Sequence, residues 1–387
     1  MNIMDFNLTE EQLSIQKMVR DFARKEIGPI AAELDQKGEF PHETVRQLGE
    51  LGLLGVPFPE EYGGAGLDHL SYILAVEELA KVDASHSVTV LTHTTNTLGP
   101  IYEFGTEEQK QKFLVPAAQG KKLAAYCLTE PNAGSDAKSI ETTAIWDGSH
   151  YVMNGTKVFI TNGSVAEVFV VVARTDPEQG TKGISMFVLE KGMEGLRAGK
   201  KEDKMGWRAS DTSEVIFENV RVPKENLLGE EGKGFAQAMH QLAQGRICIA
   251  ALSLGVAEGA FEESLKYSQQ REQFGKPIAA FQAVQFMLTD MAVGIANGKH
   301  LTYHAARLRD QGRDVTTEAA MAKLYCSELA MKATTDAVQI HGGYGYTKEY
   351  AVERYMRDAK VCTIGEGTSE IQRMIIARQF IKGLSKF

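Results

Sequence analysis

Apolar residues recur at helical spacing through the first ~120 positions, at strand spacing through the middle, and at helical spacing again to the end. Ile15, Met18, Val19 and Phe22 share one side of a helix that Thr9 and Gln12 open as a capping box. Pro41 marks a first turn before Val45, Leu48 and Leu51. Pro57, Pro59, Gly63, Gly64 and Gly66 read as a loop, a helix follows over 70–82, and Thr106 with Gln109 makes a second capping box.

From about Lys121 the period drops to two. Tyr126, Leu128, Thr142, Ala144 and Trp146 belong to strands, and Asn154-Gly155 predicts a hairpin turn before the run 157–161. Further strands are expected over 168–174, 184–189 and 215–217, with turns at Asp147-Gly148, Gly180 and Gly192. The apolar run 168–173 is far too short to span a membrane and reads as a buried strand. After Gly232 the helical period returns. Segments 236–271, 280–311 and 317–341 are too long for a compact α/β unit and suit a four-helix bundle. The expected class is α+β: an N-terminal helical domain over 1–120, an antiparallel β barrel or sandwich over 121–229, and a C-terminal helical bundle over 230–387.

A chain of 387 residues, 43% hydrophobic and 24% charged, has the makeup of a globular enzyme with two or three domains. Its net charge of −9, with no long Lys/Arg run, argues against nucleic-acid binding. Cys127, Cys248, Cys326 and Cys362 are scattered without a CxxC pair, which fits reduced thiols. No metal ligand set is expected: His86 and His93 read as structural, and His300 and His304 lack the glutamate of an HExxH motif. Acidic and polar residues enter by Asp5 to Glu11, so neither a secretory signal nor an Arg-rich presequence is read. The expected location is the bacterial cytoplasm; a processed mitochondrial matrix form has the same pattern.

The candidate chemistry centres on the stretch from Val361 to Arg373, where Glu366 stands between Gly365 and Gly367. Glycines allow close approach of backbone and ligand, and Thr368 is a fair N-cap for a helix with Ile371, Met374, Ile375 and Phe380 on its apolar side. A carboxylate on such a loop can be partly desolvated and act as a base toward a weakly acidic C–H. Taken alone, the stretch reads as an ordinary helix start with an exposed glutamate.

Other stretches change that balance: Tyr126 through Asp136 (YCLTEPNAGSD), Arg271 through Pro277 (REQFGKP) and Gln339 through Gly343 (QIHGG). With the Glu366 loop, they resemble the acyl-CoA dehydrogenase family of FAD flavoproteins, in order and over nearly the whole chain. The resemblance implies FAD held by Tyr126, Leu128, Thr129, Gly134 and Ser135, by Phe159, Ile160 and Thr161, and by Thr368 and Glu370. It implies that Arg271, Phe274, Gln282, Gln339, Gly342 and Gly343 reach the FAD of a neighbouring subunit in a homotetramer, a dimer of dimers. Acyl-CoA contacts are implied for Ser135, Leu242, Arg246 and Gly367. Many relatives carry tryptophan where this chain has Phe159, and several carry aspartate where it has Ala243.

The implied reaction is α,β-dehydrogenation of an acyl-CoA to a trans-2-enoyl-CoA. Glu366 would remove the α-proton while hydride leaves the β-carbon for the flavin. The Glu366 N–H and a ribityl hydroxyl would hold the thioester oxygen. Relatives that place the base elsewhere carry it beside the arginine matching Arg246, and here that neighbour is Gly245. Electrons would pass to electron-transfer flavoprotein; no GxGxxG between strand and helix suggests NAD. A short straight-chain acyl-CoA is the default substrate. A short branched-chain dehydrogenase and an acyl-CoA oxidase on the same fold share these motifs.

Overall fold

A computed structural model describes residues 7–384; the acidic stretch read from Asp5 begins outside them. Helices α1 (Glu10–Phe22), α2 (Gly28–Lys37), α3 (His42–Glu50), α4 (His69–Ala80), α5 (Ala84–Leu91) and α6 (Gly99–Phe104), with the short turns α7 (Glu107–Gln109) and α8 (Val115–Ala118), form the first part. Both capping boxes are present, Thr9 with Gln12 and Thr106 with Gln109. Pro41 occupies the N-cap of α3, and Val45 and Leu48 are buried while Leu51 is exposed. Between α5 and α6 the chain widens into a π-helical turn, Thr92–Leu98, whose seven residues are all buried. Extra width of this kind recurs at functional sites.

The middle part is one seven-stranded sheet: β1 (Ala124–Cys127), β2 (Thr143–Trp146), β3 (Tyr151–Thr161), β4 (Val168–Arg174), β5 (Ile184–Glu190), β6 (Leu196–Lys201) and β7 (Thr212–Val222). The order is β1-β4-β2-β3-β7-β6, with β5 on the other edge of β4. The expectation of a purely antiparallel domain is corrected here. β1 runs parallel to β4 from Ala124↔Val168 to Cys127↔Val171, because the loop, hairpin and return between them form a crossover. The Asn154-Gly155 hairpin is corrected too. Those residues lie inside β3, at a register shift against β7. Gly155 is needed for proximity, since a Cβ there would come within 2.8 Å of Thr142 Cα. The hairpin turn is instead at Asp147-Gly148, where the Asp147 N–H donates to His150 O.

The last part holds α9 (Gly234–Gln270), the small hairpin β8 (Glu272–Gln273) and β9 (Lys276–Pro277), α10 (Gln282–Asp310), α11 (Thr316–His341), α12 (Val352–Cys362) and α13 (Ser369–Leu384). At 37 residues, α9 is about 55 Å long and serves as the spine. It packs on α4, α10, α11 and the π-turn, so the largest core joins the first and last parts. Separate apolar clusters lie under the sheet and between it and the Phe113–Leu114 region. One expected face differs: on α13, Met374 and Phe380 are exposed, and the buried residues are Ser369 and Gln372. The cysteines are all buried and free. His86 and His93 are hydrogen-bonded in the core, to Asp83 and Thr44 and to Ala117 and Ala124. Among the described residues no helix is long and apolar enough to cross a membrane.

Candidate active site

Helix α12 ends with paired amides of Ile364 and Gly365 donating to Val361 O, and α13 begins where Thr368 accepts from Ile371 N–H. The turn between them places Glu366 at a φ of 55° and Gly367 at 92°. A positive φ costs a residue with a Cβ on the order of 1–3 kcal/mol and persists only where the surroundings hold it. They do so from two sides. Gln372 donates to the carbonyls of Glu366 (3.1 Å) and Gly367 (2.8 Å), and Lys323, on α11, donates to Gly367 O at 2.7 Å. Both are fully buried.

So held, the Glu366 side chain runs inward between α9 and the π-turn. Its Oε1 accepts from Asn96 Nδ2 at 2.7 Å. Oε2 is sealed from solvent and has no hydrogen-bond partner, although the residue as a whole is only half-buried. A Cβ on Gly245 would lie 2.8 Å from Oε2, so the glycine admits the carboxylate against α9. Burial raises the Glu366 pKa; Asn96, Arg246 and Lys323 oppose the rise without cancelling it. Burial also pushes Lys323 down to about 8. A carboxylate with one committed oxygen, one free oxygen and a raised pKa is equipped to take a proton. The Glu366 N–H, for its part, donates to no acceptor among the described residues.

Arg246 follows Gly245 on α9 and is buried, with Nε unpartnered and Glu366 as the anion that sustains its charge. Leu242 is one turn earlier and half-buried. Tyr126, on β1, is buried with an unpartnered hydroxyl, and the proximity of Glu366 adds to the rise that burial imposes on its pKa. Leu128 and Thr129 continue from β1, and the Val158 N–H donates to Thr129 O at 2.9 Å, which brings the 126–135 segment beside β3. A buried ion pair fixes that junction: Lys157 Nζ donates to Leu128 O (2.9 Å) and Glu130 Oε1 (2.7 Å). Phe159 projects from the same edge, 65% exposed and with a φ of 58°. Ile160 is buried beside it, Thr161 half-buried, and Gly134 and Ser135 exposed.

Another group of predicted residues stands elsewhere. Arg271 follows the last residue of α9, 26 positions beyond Gly245, or roughly 39 Å along the helix. It borders a pocket of about 520 Å³ with His341, Gly342, Gly343 and Tyr344. Phe274, at the tip of the β8–β9 hairpin, is 94% exposed with a φ of 53°. Gln282 and Gln339 are exposed as well. One chain therefore does not bring these residues to Glu366. No motif in the sequence singles out Asn96, Lys323 or Gln372; Asn96 lies in the Ser/Thr-rich run that also holds His86 and His93.

Comparison with known proteins decides the family. Models for the acyl-CoA dehydrogenase N-terminal, middle and C-terminal domains match residues 9–121, 125–220 and 232–381. The chain belongs to the acyl-CoA dehydrogenase family of FAD flavoproteins. It is 53% identical to the short-chain specific acyl-CoA dehydrogenase of Clostridium acetobutylicum, over 98% of this chain and 100% of that one. It is 47% identical to a subunit of the caffeyl-CoA reductase–Etf complex of Acetobacterium woodii, over 97% and 99%. The solved butyryl-CoA dehydrogenase of Megasphaera elsdenii superposes with a TM-score of 0.96 at 49% identity, covering 98% of this chain and 100% of that one. This acyl-CoA dehydrogenase family member is an oxidoreductase acting on a CH–CH group of an acyl-CoA-type substrate.

Proposed function

We propose that the protein dehydrogenates a short-chain acyl-CoA to the trans-2-enoyl-CoA, with Glu366 as base, FAD as oxidant and electron-transfer flavoprotein as electron acceptor. The observation that carries the reading is the Glu366 carboxylate, buried on a strained turn with Oε2 unpartnered.

The residues present fit FAD. Phe159 offers an exposed aromatic face beside the β1 segment, Gly134 has open space around its Cβ position, and Tyr126 keeps an unpartnered hydroxyl nearby. FAD, when bound, supplies the hydride acceptor. The chain's own residues do the rest. Glu366 Oε2 takes the α-proton, and the free Glu366 N–H is available to hold the thioester oxygen as charge develops on it. Arg246 and Lys323 offset part of the rise that burial imposes on the carboxylate's pKa.

Arg271, Phe274, Gln282, Gln339, Gly342 and Gly343 serve the FAD of a second subunit in a homotetramer. Roughly 39 Å of helix separates Arg271 from the Glu366 region, too far for one bound cofactor to meet both within a chain. Phe274, with Phe286 and Val293 on α10 and Phe380 on α13, leaves exposed apolar surface of the kind that marks interfaces. Ser135, Leu242 and Gly367 border the acyl-CoA, and Ala243 provides no polar group to its tail.

A short branched acyl-CoA is the second reading, favoured by Gly365: a Cβ there meets only Val361 O, at 3.6 Å, so the position before the base is open. Each methylene gained or lost is worth ~1–3 kcal/mol, so selectivity is graded. The test is anaerobic titration of the purified yellow protein with butyryl-CoA, isobutyryl-CoA and longer chains. Bleaching by butyryl-CoA, with fast reoxidation by electron-transfer flavoprotein and slow reoxidation by air, is expected. Failure of any acyl-CoA to bleach the flavin would overturn the reading, and fast reoxidation by air would make the enzyme an oxidase.

A further inference from the structure

Asn96 is separated from Glu366 by 270 residues and donates to its Oε1 at 2.7 Å. The orientation of the amide follows from chemistry: turned over, it would set an oxygen against an ionised carboxylate. The π-turn that carries Asn96 is clamped around it. Gln241, on α9, donates to Thr95 O, the Thr95 hydroxyl bonds to Tyr72 on α4 and Cys248 on α9, and the Thr97 hydroxyl donates back to Thr92 O. On the other side of the carboxylate, Gly245 gives Oε2 room and no partner.

The charged and titratable groups facing Glu366 are Arg246 and Cys248 from α9, Lys323 from α11 and Tyr126 from β1. None of the four donates a hydrogen bond to the carboxylate; Asn96 does. The two oxygens are thus unlike, one committed and one free.

We propose that Asn96 is a positioning residue that fixes Oε1 of Glu366, leaving Oε2 as the oxygen that takes the substrate proton, and that favours the ionised base before substrate arrives. This rests on the reading of Glu366 as the base. A hydrogen bond to the charged form favours that form, so losing it raises the pKa of the base and moves the acid limb of activity to higher pH.

The test compares holoenzyme carrying Asn96→Leu, which keeps the branched shape in a somewhat larger side chain with no donor, with Asn96→Asp, which sets a second carboxylate against the first. For each, the pH profile of kcat/KM with butyryl-CoA is measured together with exchange of the substrate α-proton into deuterated water. For Asn96→Leu we expect FAD content and KM within two-fold of the parent, kcat lowered about 10-fold at pH 7, and an acid limb about one pH unit higher. The activity is then largely regained at higher pH, and exchange shifts in parallel. Asn96→Asp should move the limb further, and it serves as the reporter if Asn96→Leu does not fold. A loss equal at every pH, or limbs coincident with the parent, would show Asn96 to be packing only. Glu366→Gln runs alongside. Normal turnover in it removes the base reading and this proposal together, whereas an inactive Glu366→Gln with unshifted Asn96 variants removes the proposal alone.

Discussion

Gly245 stands where any Cβ would come within 2.8 Å of Glu366 Oε2 and 2.9 Å of Asn96 Oδ1. The glycine on α9 and the carboxylate on the α12–α13 turn therefore occupy complementary space. Gly245→Ala should displace the carboxylate by several tenths of an ångström or more while leaving the helix intact. Small displacements of reacting groups are costly, and we expect kcat/KM to fall on the order of 10²-fold with normal FAD content. Steady-state kinetics beside a flavin spectrum checks this; unchanged kinetics would mean that the carboxylate is not held as described.

Glu366→Gln keeps shape and removes the proton acceptor. Acyl-CoA binding should persist while kcat falls by roughly 10³-fold or more. Rapid-mixing measurements of flavin bleaching separate the two.

The same substitution has a second expected effect, on stability. The folded pKa of Glu366 is raised, so the native state holds its proton more tightly than the unfolded chain does. The carboxylate thus costs stability as pH rises past the ordinary value of about 4.3, and the full cost is present above the folded pKa. Glu366→Gln should melt at a higher temperature than the parent at pH 7, with the gap closing as pH falls below the ordinary value. A gap independent of pH would contradict the assignment of a raised pKa.

Lys157 is fully buried against Glu130, which also accepts from the Thr142 N–H at 3.0 Å. Burial alone would raise the Glu130 pKa, but Lys157 and the Glu141 amide bring it below the ordinary value. Lys157→Met would strand the carboxylate, at a cost of about 3–5 kcal/mol. It would also loosen the 126–135 segment, so FAD should be lost before the protein unfolds. The double variant Lys157→Met with Glu130→Gln should regain part of that stability in denaturant melts.

Arg271→Ala should weaken FAD retention more than it weakens folding, and dilution should release FAD as subunits separate. Gel filtration with absorbance at the flavin band follows both. A dilute monomer holding its full FAD would contradict the shared site.

How much of this could be read in advance depended on the range of each interaction. The capping boxes of α1 and α7 and the limits of α9, α10 and α11 follow from neighbours a few residues apart, and they were legible. Glu366 stood out as a candidate only because the stretches at 126–136, 271–277 and 339–343 accompany its glycine-flanked loop. The bond from Asn96 was not legible, since nothing near residue 96 indicates what a turn 270 residues away will place against it. Asn154-Gly155 misled for a related reason. Its local signal is that of a turn, but the contact with Thr142 and the pairing with β7 require glycine inside a strand. The parallel pairing of β1 with β4 depends on where distant strands dock, and a two-residue period is silent on direction.

The hairpin tip at Phe274 carries one more consequence. A phenylalanine held 94% exposed at a positive φ is doubly unfavourable for a lone chain, in hydration and in backbone conformation. If the homotetramer proposed above is the working form, a newly made subunit would be at its most vulnerable between folding and meeting its partners, when the tip is free to stick to other unfinished chains. Yield during synthesis would then be governed by how quickly subunits find one another, and overproduction with too little FAD would leave precipitate where a merely inactive protein would stay dissolved.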